Sequence, residues 1–174
     1  MNMEEERRHT IVVLVDNEAG VLARVIGLFS GRGYNIDSLT VAEIDPVRKL
    51  SRINIVTTGT ELVIEQIKAL LSKLVPVHRV QDLTKEGPHV ERELALVKVN
   101  GDRERLVQAL RIADFMHARL VDSTPGSLVF ELTGSSEELD AFIGLVEPVE
   151  VSRAGVVAIG RGDMILNGIP QDSD

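Results

Sequence analysis

The sequence contains no cysteine and very few aromatic residues, and these absences exclude several classes of protein. None of the 174 residues is cysteine or tryptophan. The lack of thiols excludes disulfides, thiolate catalysis and cysteine-based zinc or iron–sulfur sites. Because aromatic residues make up only 3% of the chain, there is little material for base-stacking platforms or large aromatic ligand pockets. We therefore expect an aliphatic core.

Long hydrophobic runs and an excess of positive charge are also lacking. No apolar stretch approaches the roughly 20 residues needed to span a bilayer, and the polar start MNMEEERR is unlike a secretory signal. The sequence thus predicts a cytoplasmic protein. Its net charge of −8 works against nucleic-acid binding, because such a surface must neutralise phosphates with clustered Lys and Arg.

No motif for catalysis or metal binding is present. The four histidines, His9, His78, His89 and His117, are far apart and none has metal-ligand spacing. There is no Gly-x-Ser-x-Gly elbow, and the GRG segment at residues 31–33 lacks the lysine of a P-loop. The sequence therefore predicts no catalytic residues and no metal site on this chain.

Apolar periodicity in the first half follows the order β-α-β-β-α-β. The predicted elements are a strand at 11–15, a helix at 21–29, hairpin strands at 36–44 and 50–58, a helix at 61–74 and a strand at 75–83. This order is that of a ferredoxin-like unit, in which two helices cover one face of an antiparallel sheet.

The second half repeats the pattern. It offers a strand at 94–99, a helix after Asp102 with an apolar stripe through Phe115, a hairpin around the Pro-Gly turn at 125–126, a helix after Ser135 and a closing strand at 149–159. Ser135 and Glu138 have the spacing of a capping box. The pattern predicts a second unit of the same kind.

The fold is therefore predicted to be α+β, with two ferredoxin-like βαββαβ domains. The predicted divisions are an N-terminal tail at 1–9, a first domain at 10–84, a linker at 85–90, a second domain at 91–160 and a flexible tail at 161–174. The charged residues at 91–93 fit a solvated face or a partner contact equally well. Because such sheets leave one face and their edges uncovered, we expect at least a homodimer.

The junction between the first strand and the first helix, residues 16–22 (DNEAGVL), is the candidate binding site. The first amides of a helix lack intrahelical partners and favour a small anion such as a carboxylate. Asn17 can offer a carbonyl to an ammonium group, and Gly20 permits close approach of a ligand. A small amino acid fits these properties, although Asp and Asn also begin helices that bind nothing.

The residues of this junction and those after it resemble a known family. Residues 15–25 (VDNEAGVLARV), 27–29 (GLF) and 32–41 (RGYNIDSLTV) resemble the small regulatory subunits of acetolactate synthase, also called acetohydroxyacid synthase. Shorter matches follow at 51–52, 65–66, 73–75, 89–94, 139–142 and 152–155. The resemblance extends from Thr10 to about Asp163.

The resemblance implies an N-terminal ACT domain, which is a ferredoxin-like module that binds amino acids, and a C-terminal ferredoxin-like domain. It also implies that two ACT domains form a homodimer with valine, the feedback inhibitor, between them. Carried over by motif, the valine site consists of Asn17, Glu18, Ala19, Gly20, Val21 and Leu22 of one chain with Asn35 and Ile36 of the other. Leucine or isoleucine remains open as the effector, because a difference of one methylene decides such a choice.

The resemblance further implies a regulatory function without catalysis. The chain is expected to bind and activate the large, thiamine-diphosphate-dependent catalytic subunit and to confer feedback inhibition by valine in branched-chain amino acid biosynthesis. Thiamine diphosphate, Mg and FAD are expected on that subunit and no cofactor on this chain, which should contact neither membrane nor nucleic acid. Its suggested contact with the catalytic subunit consists of Thr58, Gly59, Thr60, Glu65 and Gln66. The alternative is a free-standing ACT-type amino-acid sensor that acts on another partner.

Overall fold

The computed structural model of the protein describes residues 5–166 and divides them into two compact units. The elements are β1 (Arg7–Asp16), α1 (Val21–Ser30), β2 (Ser38–Asp45), β3 (Leu50–Gly59), α2 (Glu61–Ser72), β4 (Val77–Asp82), α3 (Leu83–Glu86), β5 (His89–Asn100), α4 (Arg103–Phe115), β6 (Arg119–Thr124), β7 (Ser127–Gly134), α5 (Ser136–Val146), β8 (Glu150–Arg153) and β9 (Val157–Gly160). Two successive βαββαβ units with antiparallel sheets confirm the predicted fold class.

In the first unit, β1 lies inside an antiparallel sheet with the strand order β2-β3-β1-β4. Its residues 11–15 are at most 2% exposed. Alternate side chains of β1 and β3 contact the buried faces of α1 and α2 and form the main core of this unit. A β-branched run without alternation is typical of a strand covered on both faces, and β1 has this property.

The other face of this sheet is covered by a segment from the C-terminal end of the chain. Val12 and Leu14 of β1 belong to a second core with Leu83, Ala158 and Leu166, the last of which is 4% exposed. Residues 156–166 therefore belong to the first unit, which is discontinuous in sequence. The predicted boundaries differ here, because residues 156–160 were assigned to the second domain and 161–166 to a flexible tail. Residues 167–174 of that predicted tail lie outside the described residues.

Hydrogen bonds fix this C-terminal segment to β2 and β3. The amide of Val156 donates to Ser38 Oγ at 2.8 Å, and Arg52 Nη2 donates to the carbonyl of Ala158 at 2.6 Å. The amide of Ala158 in turn donates to Asn54 Oδ1. Polar side chains on this face of the sheet thus match the backbone groups of the segment, so that buried donors and acceptors are satisfied.

The structure also differs from the prediction at two other boundaries of the first unit. β1 begins at Arg7, so residues 7–9, assigned to the N-terminal tail, continue the strand opposite residues 57–59 of β3. The predicted linker at 85–90 contains the end of α3 and the start of β5, and the two units divide after Val90.

Within residues 5–166 no helix is long and apolar enough to span a bilayer.

The second unit has a sheet with the strand order β6-β7-β5-β8 and an alternating burial pattern. Phe130 of β7 and Phe142 of α5 meet edge to face in its core, with ring centroids 6.0 Å apart. The capping box of Ser135 and Glu138 is present. Phe115, in contrast, is 84% exposed, because the buried side of α4 is formed by Ala109 and Ala113.

Glu93 fits neither of the two interpretations given for residues 91–93. It is 6% exposed and accepts two hydrogen bonds from Arg153, from Nε at 3.0 Å and from Nη2 at 2.8 Å. These hydrogen bonds, with a further one to Asp140, raise the pKa of Arg153, so the guanidinium stays charged. Glu93 is therefore neither on a solvated face nor available to a partner, because it forms a bidentate ion pair inside its own unit.

Replacing Arg153 by alanine is expected to destabilise the second unit, because the carboxylate of Glu93 would remain buried without its partner. We expect Arg153→Ala to lower the free energy of unfolding by about 2–4 kcal/mol. The control is Arg119→Ala, which removes an exposed pair with Glu131 and should cost less than about 1 kcal/mol. Urea denaturation of both variants is the measurement, and equal losses would contradict the assignment.

Candidate functional site

The start of α1 differs from the starts of the other long helices because no side chain caps it. Gly20 occupies the N-cap position with a φ of 85° and offers no side-chain acceptor. Helices α2, α4 and α5 are each capped by a side chain, from Thr60, Asp102 and Ser135 respectively. Within residues 5–166, the amides of Leu22 and Ala23 have no hydrogen-bond acceptor. Unpaired amides at a helix start favour an anionic group.

Asn17 lies directly before this helix start and connects it to the β2–β3 hairpin. Its backbone amide donates to the backbone carbonyl of Lys49 at 2.7 Å. Its side-chain Nδ2 donates to Glu43 Oε1 of β2 at 2.9 Å, and the contact is exposed to solvent. The β1–α1 turn is therefore held at two points on one hairpin, with the Asn17 side chain accessible from outside.

The other side of the turn is fixed by β4. Asp16 Oδ1 lies 2.6 Å from His78 Nε2, and the amide of Asp16 donates to the carbonyl of Pro76 at 2.9 Å. Both side chains are about one-third exposed. Contacts from the hairpin and from β4 together fix the position of the turn.

The predicted effector residues of the turn present different groups to solvent. Glu18 and Ala19 are exposed, and Leu22 is 37% exposed. The side chain of Val21, at 5% exposure, packs in the core of the first unit. Val21 can therefore contribute only its backbone to a ligand, while Leu22 offers an apolar side chain.

Asn35 and Ile36 do not lie near the turn in the same chain. They precede β2, whereas Glu43 lies near its far end, and Ser38 and Glu43 are separated by about 17 Å at the usual rise of a strand. Asn35 Nδ2 donates to Asp37 Oδ1, and the backbone carbonyl of Asn35 accepts from Thr57 Oγ1. One chain thus brings together six of the eight predicted effector residues and leaves the other two at the opposite end of the edge strand β2.

The residues suggested as a contact with a catalytic subunit lie around the end of β3 and along α2. Thr58 Oγ1 donates to Asp37, Thr60 caps α2, and Gln66 accepts from the hydroxyl of Tyr34 at 3.1 Å. Gly59 ends β3, and a Cβ placed there would lie 3.2 Å from Val63. Thr58, Gly59, Thr60 and Gln66 thus each have a structural role within this chain.

Lys85 joins Glu65 of this group to Glu61 in an exposed ion-pair network. Its Nζ lies 2.6 Å from Glu61 and 3.1 Å from Glu65. The hydrogen bonds to Glu61 and Glu65 raise the pKa of Lys85 to about 12, and the hydrogen bond from Lys85 lowers the pKa of both carboxylates. All three groups therefore stay charged at neutral pH.

The described part of the chain contains no cluster of three or more histidine, cysteine or carboxylate side chains arranged to hold a metal ion. The features that do come together are uncapped amides, an exposed asparagine and a neighbouring apolar side chain. This combination can bind a small zwitterion through hydrogen bonds and shape.

The fold consists of two ferredoxin-like units, and the first has an uncapped helix start after β1. These features define the class of protein as one built on an ACT domain. A model of the AHAS small subunit-like ACT domain matches residues 11–79, and a model described as the small subunit of acetolactate synthase matches residues 92–162. The first match lies within the first unit, and the second match covers residues 92–155 of the second unit together with residues 156–162 of the first.

Relatives along nearly the whole chain specify the family. The small subunit of acetolactate synthase isozyme 3 from Salmonella typhimurium is 46% identical over 163 residues, which is 91% of this chain and 99% of the relative. A probable acetolactate synthase small subunit from Archaeoglobus fulgidus is 41% identical, with 90% of this chain and 98% of that protein covered. The crystal structure of the Thermotoga maritima small subunit matches with a TM-score of 0.80 and 34% identity, covering 91% and 99% of the two chains. The chain belongs to the acetolactate synthase small subunit family.

Three residues around the turn were not among the predicted site residues. Glu43, Lys49 and His78 come from β2, the hairpin and β4, and each contacts Asp16 or Asn17. No motif in the sequence indicates them. Their positions follow from the pairing of β3 with β1 and β2 and of β4 with β1, and these pairings place the residues correctly only when the strand register is known.

Alanine at position 20 is expected to strain the turn without a steric clash. A Cβ added to Gly20 would have no heavy atom within 4 Å, but the φ of 85° is unfavourable for any L-residue with a side chain. We expect Gly20→Ala to lower the free energy of unfolding by about 1 kcal/mol. Gly27→Ala, in the same helix and also without a neighbour, is the control and should stabilise by roughly 0.5–1 kcal/mol. Chemical denaturation measures both, and a stabilising effect at position 20 would show that its backbone is unstrained.

Proposed function

We propose that this chain binds the thiamine-diphosphate-dependent catalytic subunit of acetolactate synthase, raises its activity and transmits feedback inhibition by valine. The observation that carries the proposal is the 46% identity to subunits of that name along 91% of the chain. Thiamine diphosphate, Mg and FAD belong to the catalytic subunit in this proposal. A cytoplasmic location remains a prediction.

The proposed valine site begins at the uncapped start of α1. The amides of Leu22 and Ala23 suit the carboxylate of the ligand, and the Asn17 side chain suits its ammonium group. The exposed side chain of Leu22 can contact a short aliphatic chain. These groups fit an amino acid better than a larger or more strongly charged ligand.

We propose that a second copy of the chain completes this site. β2 is at the edge of its sheet, so two copies can pair their β2 strands antiparallel about a two-fold axis. In that arrangement the Ser38 end of one strand lies beside the Glu43 end of the other. Asn35 and Ile36 of the second copy then approach Asn17 of the first, which agrees with their separation within one chain.

Inhibition by valine requires that valine bind the less active arrangement of the complex more tightly. Such a coupling is typically worth about 1–3 kcal/mol and needs contacts that differ between the two arrangements. A site formed by two chains meets this requirement, because a small change in their relative position alters one half of the site with respect to the other.

The first test is an activity assay of the catalytic subunit with and without this chain across a valine titration. We expect the wild-type chain to raise the activity and to confer inhibition. Asn17→Ala should activate normally but require at least about tenfold more valine, because a hydrogen bond to a charged group is lost. Asn100→Ala, an exposed asparagine of β5, is the matched control. Absence of activation by the wild type would refute the function, whereas full valine sensitivity of Asn17→Ala would refute only the site.

The second test concerns the sharing of the site between two chains. Asn17→Ala and Asn35→Ala chains should each lose sensitivity to valine as homodimers. After mixing and exchange of subunits, each heterodimer contains one intact site, so about a quarter of all sites should bind valine normally. Isothermal titration of the mixture is the measurement. A mixture that binds no valine would show that both residues act within one chain.

A further inference from the structure

The hydrogen bond between Asn17 and Glu43 determines which way the Asn17 amide points. A carboxylate can only accept, so the group that faces Glu43 Oε1 at 2.9 Å must be Nδ2. The carbonyl Oδ1 is then directed away from Glu43. Within residues 5–166 no donor reaches Asn17 Oδ1, although its backbone amide is bound to Lys49.

Glu43 lies next to an irregularity of β2. The register of β2 against β3 shifts between Glu43, opposite Ser51, and Asp45, opposite Leu50. Such a bulge re-directs the side chains next to it. Asp45 Oδ1 accepts from the amides of Val47 and Arg48 and fixes the turn beyond the bulge. Glu43 therefore lies on a hairpin whose turn is fixed by hydrogen bonds.

We propose that Glu43 is a positioning residue of the effector site: it orients the Asn17 side chain so that Oδ1 accepts a hydrogen bond from the ammonium group of the ligand. This inference rests on the proposed valine site. It specifies the chemical class of the ligand as amino acids with a free α-ammonium group. Without Glu43 the side-chain amide of Asn17 can rotate by about 180° and direct its NH2 group toward the ligand. That NH2 group repels an ammonium group.

The Asn17–Glu43 contact contributes little to the stability of the fold, because the backbone hydrogen bond from Asn17 to Lys49 also holds the turn, and this makes the proposal testable. Glu43 and Asn17 are both exposed, and exposed polar contacts contribute little to stability. Loss of the Glu43 carboxylate should therefore affect the binding of valine and leave the folding of the chain unchanged. Glutamine at this position keeps an acceptor oxygen at the same distance and should retain the orientation.

The experiment measures valine binding by isothermal titration to the full-length chain and valine inhibition of its complex with the catalytic subunit. Glu43→Ala should weaken valine binding about tenfold, and Glu43→Gln should return it to within about threefold of the wild type. Glu150→Ala, which removes an exposed strand glutamate paired with Lys98, is the control and should bind as the wild type does. Thermal unfolding of all variants should agree within about 2 °C.

Two further measurements separate positioning from other roles. The variant that combines Asn17→Ala with Glu43→Ala should bind valine no more weakly than Asn17→Ala alone, because Glu43 acts through Asn17. Isovalerate, which is valine without its ammonium group, should bind equally to the wild type and to Glu43→Ala. A weaker double variant would show direct contact of Glu43 with the ligand and overturn the positioning role.

The possible failures are distinguishable. If the wild type binds valine and Asn17→Ala weakens it while Glu43→Ala does not, the proposal for Glu43 is wrong and the valine site stands. If isovalerate loses affinity for Glu43→Ala as much as valine does, Glu43 shapes the turn in general and does not orient Asn17 toward an ammonium group. If the wild type binds no valine, the proposed site is wrong and this inference fails with it.

Discussion

The burial of β1 on both faces is the constraint on which the first unit depends. Five consecutive apolar residues, 11–15, are at most 2% exposed, so two separate layers must cover the strand. Helices α1 and α2 form one layer, and α3 with residues 156–166 supplies the other. Because the strand must remain in this position, its end at Asp16 and the uncapped helix start that follows are presented at a fixed place.

The order of elements could be predicted from the sequence because each depends on local patterns. The capping box at Ser135 and the Pro-Gly turn at 125–126 are examples in which neighbouring residues determine the structure. The apolar stripe predicted through Phe115 extends beyond the buried side of its helix, since Phe115 at the end of that stripe is exposed. The segment that covers the other face of the first unit's sheet could not be predicted either. Ala158 and Leu166 lie far along the chain from Val12, and no local pattern connects them.

The residues of the candidate site likewise fall into two groups, those adjacent in sequence and those brought together by strand pairing. The motif around Asn17 and Gly20 is continuous in sequence, and the unpaired amides follow from a glycine at the N-cap position. Glu43 and His78 reach the turn only through strand pairing, so their participation depends on register. The bulge after Glu43 changes that register by one residue, and sequence patterns alone do not locate a bulge of this kind.

The discontinuity of the first unit has a consequence for synthesis of the chain on the ribosome. Domains usually fold as units in the order in which they emerge, but here residues 7–90 emerge first and lack the segment that covers Val12 and Leu14. The inserted second unit, residues 91–155, is complete before that segment exists. The amino-terminal unit, which carries the β1–α1 turn, is therefore completed after the second unit, and a chain terminated before residue 156 leaves Val12 and Leu14 without the segment that covers them.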